Sequence, residues 1–245
     1  MKKIHTYIFV HDQNIILDFI KHNKFEKIKN LTYVFVGKND SSLLKSLTNV
    51  IICNQLKHNI EEFPKLTSFT GWYSIWKNEL YDDSEYINLF EYDVNLDNNF
   101  VEILQSNLDS DVIGYIPFSV HNQAFLKTPM WCDDLVKSIS KNYNLDSLSF
   151  IKNLPSDKLC SMTSNHTFSL TKFKEYMEWM SPIVDDLKVS PMAGHQTERS
   201  ISLFYLIKKL KYKILPNILF HFQFDSHKTQ NISQDKFNKF YKNLF

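Results

Sequence analysis

The chain has 245 residues, and 28 basic against 27 acidic side chains leave a net charge of +1, with lysines scattered among acids and asparagines. That balance excludes the basic stripe a nucleic-acid or anionic-membrane binder would carry. Apolar residues at 43% and aromatics at 15% exclude a disordered chain, and four glycines without a fixed repeat exclude collagen-like, solenoid and low-complexity classes.

Residues 4–10 (IHTYIFV) are β-branched and aromatic and read as a buried strand. Ile15, Ile16, Phe19 and Ile20 then recur at helical spacing behind Asp12, which is placed to cap them. Residues 31–36 predict a second strand closed by Gly37, Ser41 opens a short helix, and residues 49–53 predict a third strand. Residues 71–80 put Trp72, Ile75, Trp76 and Leu80 on one side of a helix, a pattern that usually means core. Residues 86–90 form a fourth strand running into Glu91-Tyr92-Asp93, and residues 111–116 a fifth. Strands separated by helices require crossover connections, so the expected class is α/β, a Rossmann-like, mainly parallel central sheet flanked by helices. The carboxyl ends of such strands share one edge, where open sheets bind ligands. Here that edge collects His11, residues 37–40, Asn54 and residues 91–93.

The second half is less regular. Residues 129–143 and 146–151 look helical, 165–170 read as an edge strand, and Thr171 is placed to cap a helix through Met180. A helix over 194–211 has Ile201, Phe204, Tyr205 and Leu210 on its apolar face, and residues 213–215 and 218–222 read as a closing strand pair. Residues 225–234 form a polar tail. No Pro-, Gly- or Ser-rich linker divides the halves, so a single domain is expected. Basic runs such as Lys208-Lys209-Leu210-Lys211 read as one wet helix face. Cys53, Cys132 and Cys160 are odd in number and far apart, which fits a reducing, cytoplasmic compartment. No segment reaches the roughly 18 apolar residues of a transmembrane span, and the apolar start is too short for a signal sequence.

Four segments could carry chemistry. Glu91 and Asp93, one residue apart at the end of a buried strand, can point the same way once the chain leaves the sheet. Hard divalent cations want such oxygen ligands and keep positions open for phosphate. The plain alternative is a strand ending in solvated acids. Met192-Ala-Gly-His-Gln-Thr-Glu-Arg199 is the second: His195 and Glu198 share a helix face, Glu198 could act as a general base, and Arg199 could neutralise phosphate. A helix start with a dipole-complementing Glu and an exposed Arg would look the same. The third is Trp72 to Asn78, in which Lys77 and Asn78 reach a ligand only if the helix ends at the binding edge. His221 and His227 flank Asp225, and one late imidazole could complete a metal shell begun by Asp93. GxSxG, GxGxxG and Walker signatures are lacking, which argues against those hydrolase, dinucleotide and ATPase classes.

In order, Thr70-Gly-Trp-Tyr-Ser-Ile-Trp-Lys-Asn78, Tyr86-Ile-Asn-Leu-Phe-Glu-Tyr-Asp93 and Gly194-His-Gln-Thr-Glu-Arg199 resemble segments of GT-A-type glycosyltransferases of surface-polysaccharide biosynthesis, the makers of capsule- and lipopolysaccharide-type glycans. The resemblance implies a GT-A-like fold, a UDP- or GDP-linked sugar as donor, Mn²⁺ or Mg²⁺, and a glycan or glycoconjugate acceptor whose hydroxyl a carboxylate activates. It implies a donor-binding half over residues 1–120 and an acceptor-binding half over 121–245. Carried onto this chain, Asp93 with Glu91, and His221 from the late segment, would hold the metal. Glu198, or secondarily His195, would be the base. Val10, His11, Asp12, Gly37, Lys38, Asn39, Lys77 and Arg199 would contact the donor. Glu-Tyr-Asp stands here where the strict pattern has Asp-x-Asp. Work beside a membrane on a lipid-linked acceptor is compatible with this reading. A metal-dependent phosphohydrolase and a non-catalytic carbohydrate-binding protein are the competing readings, since fold alone does not choose among them.

Overall fold

The structure is a computed structural model and describes residues 1–81, 83–121, 125–126 and 131–221. Its centre is a seven-stranded mixed sheet, flanked by helices, in the order β10 (Tyr212–Ile214), β6 (Val112–Gly114), β9 (His166–Ser169), β4 (Tyr86–Glu91), β1 (Ile4–Val10), β2 (Leu31–Phe35) and β3 (Val50–Ile52). β1 (Ile4–Val10), β2 (Leu31–Phe35), β3 (Val50–Ile52) and β4 (Tyr86–Glu91) run parallel, with β1 between β2 and β4. Alternate β1 side chains serve opposite faces, as the period of two requires. Tyr7 and Phe9 pack into one apolar cluster, Ile8 and Val10 into the other. Both clusters are roofed by helices, which explains why these strands read as continuous apolar runs.

One face carries α2 (Phe69–Lys77), α6 (Leu170–Leu187) and α7 (Ala193–Ile207); the other carries α1 (Gln13–Lys21) and α3 (Phe100–Gln105). Asp12 caps α1 as the sequence predicts, accepting from the Asn14 amide at 2.8 Å. Trp72 and Ile75 are buried core, while Trp76 and Leu80 pack against it. A Cβ on Gly71 would come within 2.6 Å of the Phe9 ring and 2.9 Å of Val36. Glycine therefore sits here because α2 lies directly on β1 and β2.

The carboxyl half departs from expectation in three places besides α7, which ends at Ile207 rather than 211 and leaves Lys209 to Lys211 beyond the helix. The segment expected at an edge is β9 (His166–Ser169), an interior strand antiparallel to both β4 and β6 (Val112–Gly114). Its polar look misleads because its hydroxyl and amide groups bond one another across strands. The Thr167 Oγ1 donates to Asn88 Oδ1 at 2.6 Å, and Asn88 Nδ2 donates to Thr6 Oγ1 at 2.9 Å. These bonds offset the desolvation that otherwise keeps such groups at the surface. Second, α6 starts one residue before Thr171, with Ser169 as its N-cap, and continues beyond Met180. Third, β10 (Tyr212–Ile214) and β11 (Leu219–His221) do not pair: β10 closes the main sheet beside β6, and β11 joins β5 (Val94–Leu96). The short strands β5, β7 (Phe118–Ser119) and β8 (Leu159–Cys160), with α3, are additions to the sequence reading. Helices α4 (Asp133–Tyr143) and α5 (Ser147–Lys152) complete the fold near their expected places. Residues 129–130, the 225–234 tail and His227 lie outside the described residues.

Candidate functional site

β1 leads to β2 on one side and neighbours β4 on the other, so the strand order reverses at β1. An open sheet splays its loops at such a point and leaves a crevice at the carboxyl edge. A cleft of about 490 Å³ opens there. His11, Gly37, Lys38 and Asn39 line one side; Glu91, Tyr92 and Asp93 line the other. Six of the residues expected from the sequence are therefore brought together. Phe9 lies opposite Glu91 in the ladder, which fixes where both chains leave the sheet.

The rim over residues 37–40 is tied down locally. The Asn39 side chain donates to the His11 carbonyl at 2.7 Å, and Gln13 donates to Asp40 at 2.9 Å. The His11 ring meets Tyr92 edge-on at 5.1 Å. Glu91 accepts from the Ser68 hydroxyl at 2.8 Å, and its own amide donates to Asn165 Oδ1 at 2.8 Å. Asp93 is 9% exposed. Behind it Lys24 is lowered to about 8 by burial, an effect that the charges of Asp93 and Asp18 partly offset. Tyr92 is pushed up to about 12, first by burial and then by the carboxylates of Asp93, Glu91 and Asp12. The cleft wall is thus strongly acidic on the β4 side.

The third wall was not anticipated. Glu61, Pro64, Thr67, Ser68 and Thr70 come from the segment before α2 and its first turn. Thr67 holds φ at +52°, which a β-branched residue adopts only when neighbours force it. One such neighbour is α7, since a Cβ on Gly194 would lie 2.9 Å from the Thr67 methyl. The amino end of α2 faces the cleft, and its dipole favours an anion there. A Ser/Thr-rich run ahead of an aromatic helix was the available signal for Ser68 and Thr70; Glu61 carried none.

The contact at Gly194 sets the start of α7 against this wall. Glu198 lies close enough to Glu91 to feel its charge, although it does not line the cleft. Burial raises the Glu198 carboxyl above its ordinary value, His195 lowers it in part, and Glu91 raises it further. His195 Nδ1 stands 3.5 Å from Glu198 Oε2, and the ring stacks on Trp131 with centroids 5.1 Å apart. Arg199, expected to be exposed or to bind phosphate, is instead buried. Its guanidinium lies 5.0 Å from the Trp131 ring centroid and donates to the His195 carbonyl at 3.0 Å. A delocalised cation tolerates burial against an aromatic face better than an ammonium would.

Other expected residues stay apart from the cleft. Val10 is in the apolar core. Asp12 is committed to capping α1. Lys77 lies at the end of α2 farthest from the cleft, its ammonium 3.8 Å from the Trp76 ring centroid, and Asn78 bonds the His58 carbonyl. The helix begins at the binding edge rather than ending there. Asn54 is exposed outside the lining. For His221, the backbone pairs with Val94, one residue beyond Asp93, and its side chain lies outside the described residues. Among the described residues no three His, Cys, Asp or Glu side chains converge as a metal cage. Glu91 and Asp93 nevertheless fit a cation of the Mg²⁺ type, which takes one or two carboxylates and fills its shell with water and substrate phosphate.

Comparison with protein-family models and with curated proteins finds no match for this sequence. Among solved structures, the apo form of the bifunctional glycosyltransferase WbbM superposes with a TM-score of 0.61 at 15% identity. That match covers 94% of this chain and 48% of WbbM, so the chain spans about half the length of that protein. An active-site mutant of LgtC superposes with a TM-score of 0.51 at 10% identity, covering 98% of this chain and 94% of LgtC. The fold is GT-A-like. At these identities the likeness establishes architecture alone.

Proposed function

We propose that the protein transfers a sugar from a nucleotide-sugar donor to a hydroxyl of a glycan or glycoconjugate. The observation that carries this reading is the cleft at the reversal of strand order, with Glu91 and Asp93 in its wall and Glu198 near enough to Glu91 to feel its charge. The nucleoside would lie along His11 and the 37–39 rim, with its diphosphate toward β4 and the open end of α2. Glu91 and Asp93 would hold a divalent cation on the diphosphate, which as a Lewis acid would stabilise the charge of the leaving group.

The acceptor would approach from the α7 side. Glu198, held by His195, would take the proton of the acceptor hydroxyl as its oxygen bonds to the anomeric carbon. The bond from that carbon to the diphosphate would break in the same displacement. A carboxyl raised by burial is a stronger base than a solvated one, which suits it to proton removal near neutral pH. Arg199 would then support the site indirectly, by fixing Trp131 and the first turn of α7. No described helix is long and apolar enough to cross a membrane. A phosphohydrolase centre assembled from several His and Asp ligands finds no counterpart among the described residues.

The test is a transfer assay over UDP-, GDP- and CMP-sugars with a panel of glycan acceptors, with and without Mn²⁺. Acceptor-dependent release of a nucleoside diphosphate is the expected result. Phosphate release without acceptor, or thermal stabilisation by free glycans alone with no turnover, would sink the proposal.

A further inference from the structure

Among the described residues Glu61 is the most deeply buried acid, at 1% exposure, yet it sits in the lining of the cleft. The segment that carries it lies between β3 and α2 and is held by its own turn, with the Glu61 amide donating to Asn59 Oδ1 at 3.3 Å. One carboxyl oxygen, Oε2, accepts the backbone amide of Gly37. The other makes no hydrogen bond of regular geometry among the described residues, although the Thr70 hydroxyl and the Cys53 thiol lie against the carboxyl. Burial raises this carboxyl, while the Thr70 hydroxyl and the Gly37 amide oppose that rise. A buried acid is costly, and a bond to one amide offsets only part of that cost.

What the bond holds explains its place. Gly37 is the first residue beyond β2 and Val36, with φ at +92°, and a Cβ there would meet nothing within 4 Å. No side chain therefore packs on the face of Gly37 where a Cβ would stand. Glycine visits many conformations at little cost, so an unpacked glycine at positive φ needs a hydrogen bond to fix it. Asn39 and Asp40 anchor the far end of the rim to His11 and Gln13; Glu61 anchors the near end from beneath the cleft.

We propose that Glu61 is a positioning residue of the nucleotide site: by gripping the Gly37 amide it fixes the 37–39 rim on which the donor rests. This rests on the donor-cleft reading above. The acid acts through the rim rather than on the reacting atoms. Removing it weakens donor binding more than it slows the bound donor's reaction. Glutamine, which keeps an acceptor oxygen of the same reach, restores the grip.

Two measurements on the full chain test this. In the ligand-free protein, amide exchange at Gly37 should accelerate at least about tenfold in Glu61→Leu and stay near the wild-type rate in Glu61→Gln. With Mn²⁺ and UDP or GDP as probes, the dissociation constant should rise about tenfold in Glu61→Leu, equivalent to about 1.4 kcal/mol. In a transfer assay the donor KM should rise more than kcat falls. Glu61→Ser, whose small side chain admits water, serves if the leucine variant does not fold. Unchanged Gly37 exchange in a folded leucine or serine variant overturns the proposal, as does an equal fall in kcat with no change in KM. Wild-type protein that binds neither nucleotide overturns the donor-cleft reading instead, while the exchange experiment still judges the Glu61 grip.

Discussion

In the proposed transfer, Asp93 and Glu198 would divide the chemistry between stabilising a charge and taking a proton. Asp93 is nearly buried beside Glu91 and Tyr92, and in the proposed reaction it would hold a divalent cation. Asp93→Asn keeps shape and hydrogen-bonding reach while removing the charge. It should abolish Mn²⁺-dependent stabilisation by nucleotide and lower kcat at least about a hundredfold, the equivalent of a few kcal/mol of lost charge stabilisation. Thermal shift with and without Mn²⁺, beside a transfer assay, checks both halves. Glu198 makes a separate prediction in pH. A general base works only when deprotonated, and this carboxyl is raised by burial. Turnover should therefore fall on the acid side with a midpoint above the ordinary carboxylate value. Glu198→Gln should lower kcat by about 10² to 10⁴ and flatten that limb of the profile. An unchanged acid limb in the variant would assign the proton to another group.

At the scale of elements, the site depends on how closely α2 lies on the sheet. Gly71 permits that approach, because Phe9 and Val36 occupy the space a methyl group would need. Gly71→Ala should destabilise the fold by about 1–3 kcal/mol, as overpacking does. It should also weaken nucleotide binding, because α2 carries Ser68 and Thr70 to the cleft wall. Chemical denaturation together with a nucleotide titration checks this, and a variant as stable as the parent would contradict the packing argument. The sequence made most of this wall's frame legible: β1, β2, β4 and the Glu91-Tyr92-Asp93 exit follow from local periodicity. It concealed Glu61, because a Glu-Glu pair in a loop looks solvated, and burial of the first acid depends on contacts made far along the chain.

Across the whole molecule, the interior strand β9 is the feature with the clearest thermodynamic consequence. His166 on β9 is fully buried, and neither ring nitrogen finds a hydrogen-bond partner among the described residues. Burial lowers it to about 3, although the backbone of Ser161 and Thr163 lies near enough to oppose part of that shift. A folded value below the unfolded one of about 6.5 means that the unfolded chain binds the extra proton first. The contribution of neutral His166 is complete above about pH 6.5 and is lost as pH falls toward about 3. Stability should decline with acid across that window more steeply in the parent than in His166→Leu. Melting temperature against pH for the two proteins measures it; parallel curves would show that another group governs acid unfolding.

Alternation of apolar runs, the cap at Asp12, the turn at Gly37 and the paired acids after β4 were determined by the sequence, because each depends on neighbours a few positions away. Tertiary structure alone decided that β9 enters the middle of the sheet, that Arg199 is buried on Trp131, and that Glu61 reaches the cleft lining. Those outcomes arise from desolvation and hydrogen bonding between segments far apart in the chain, such as Asn88 with Thr6 and with Thr167, 82 and 79 residues away. Local patterns carry no record of which distant partner will satisfy a polar group, and it is that partner which decides whether the group can be buried.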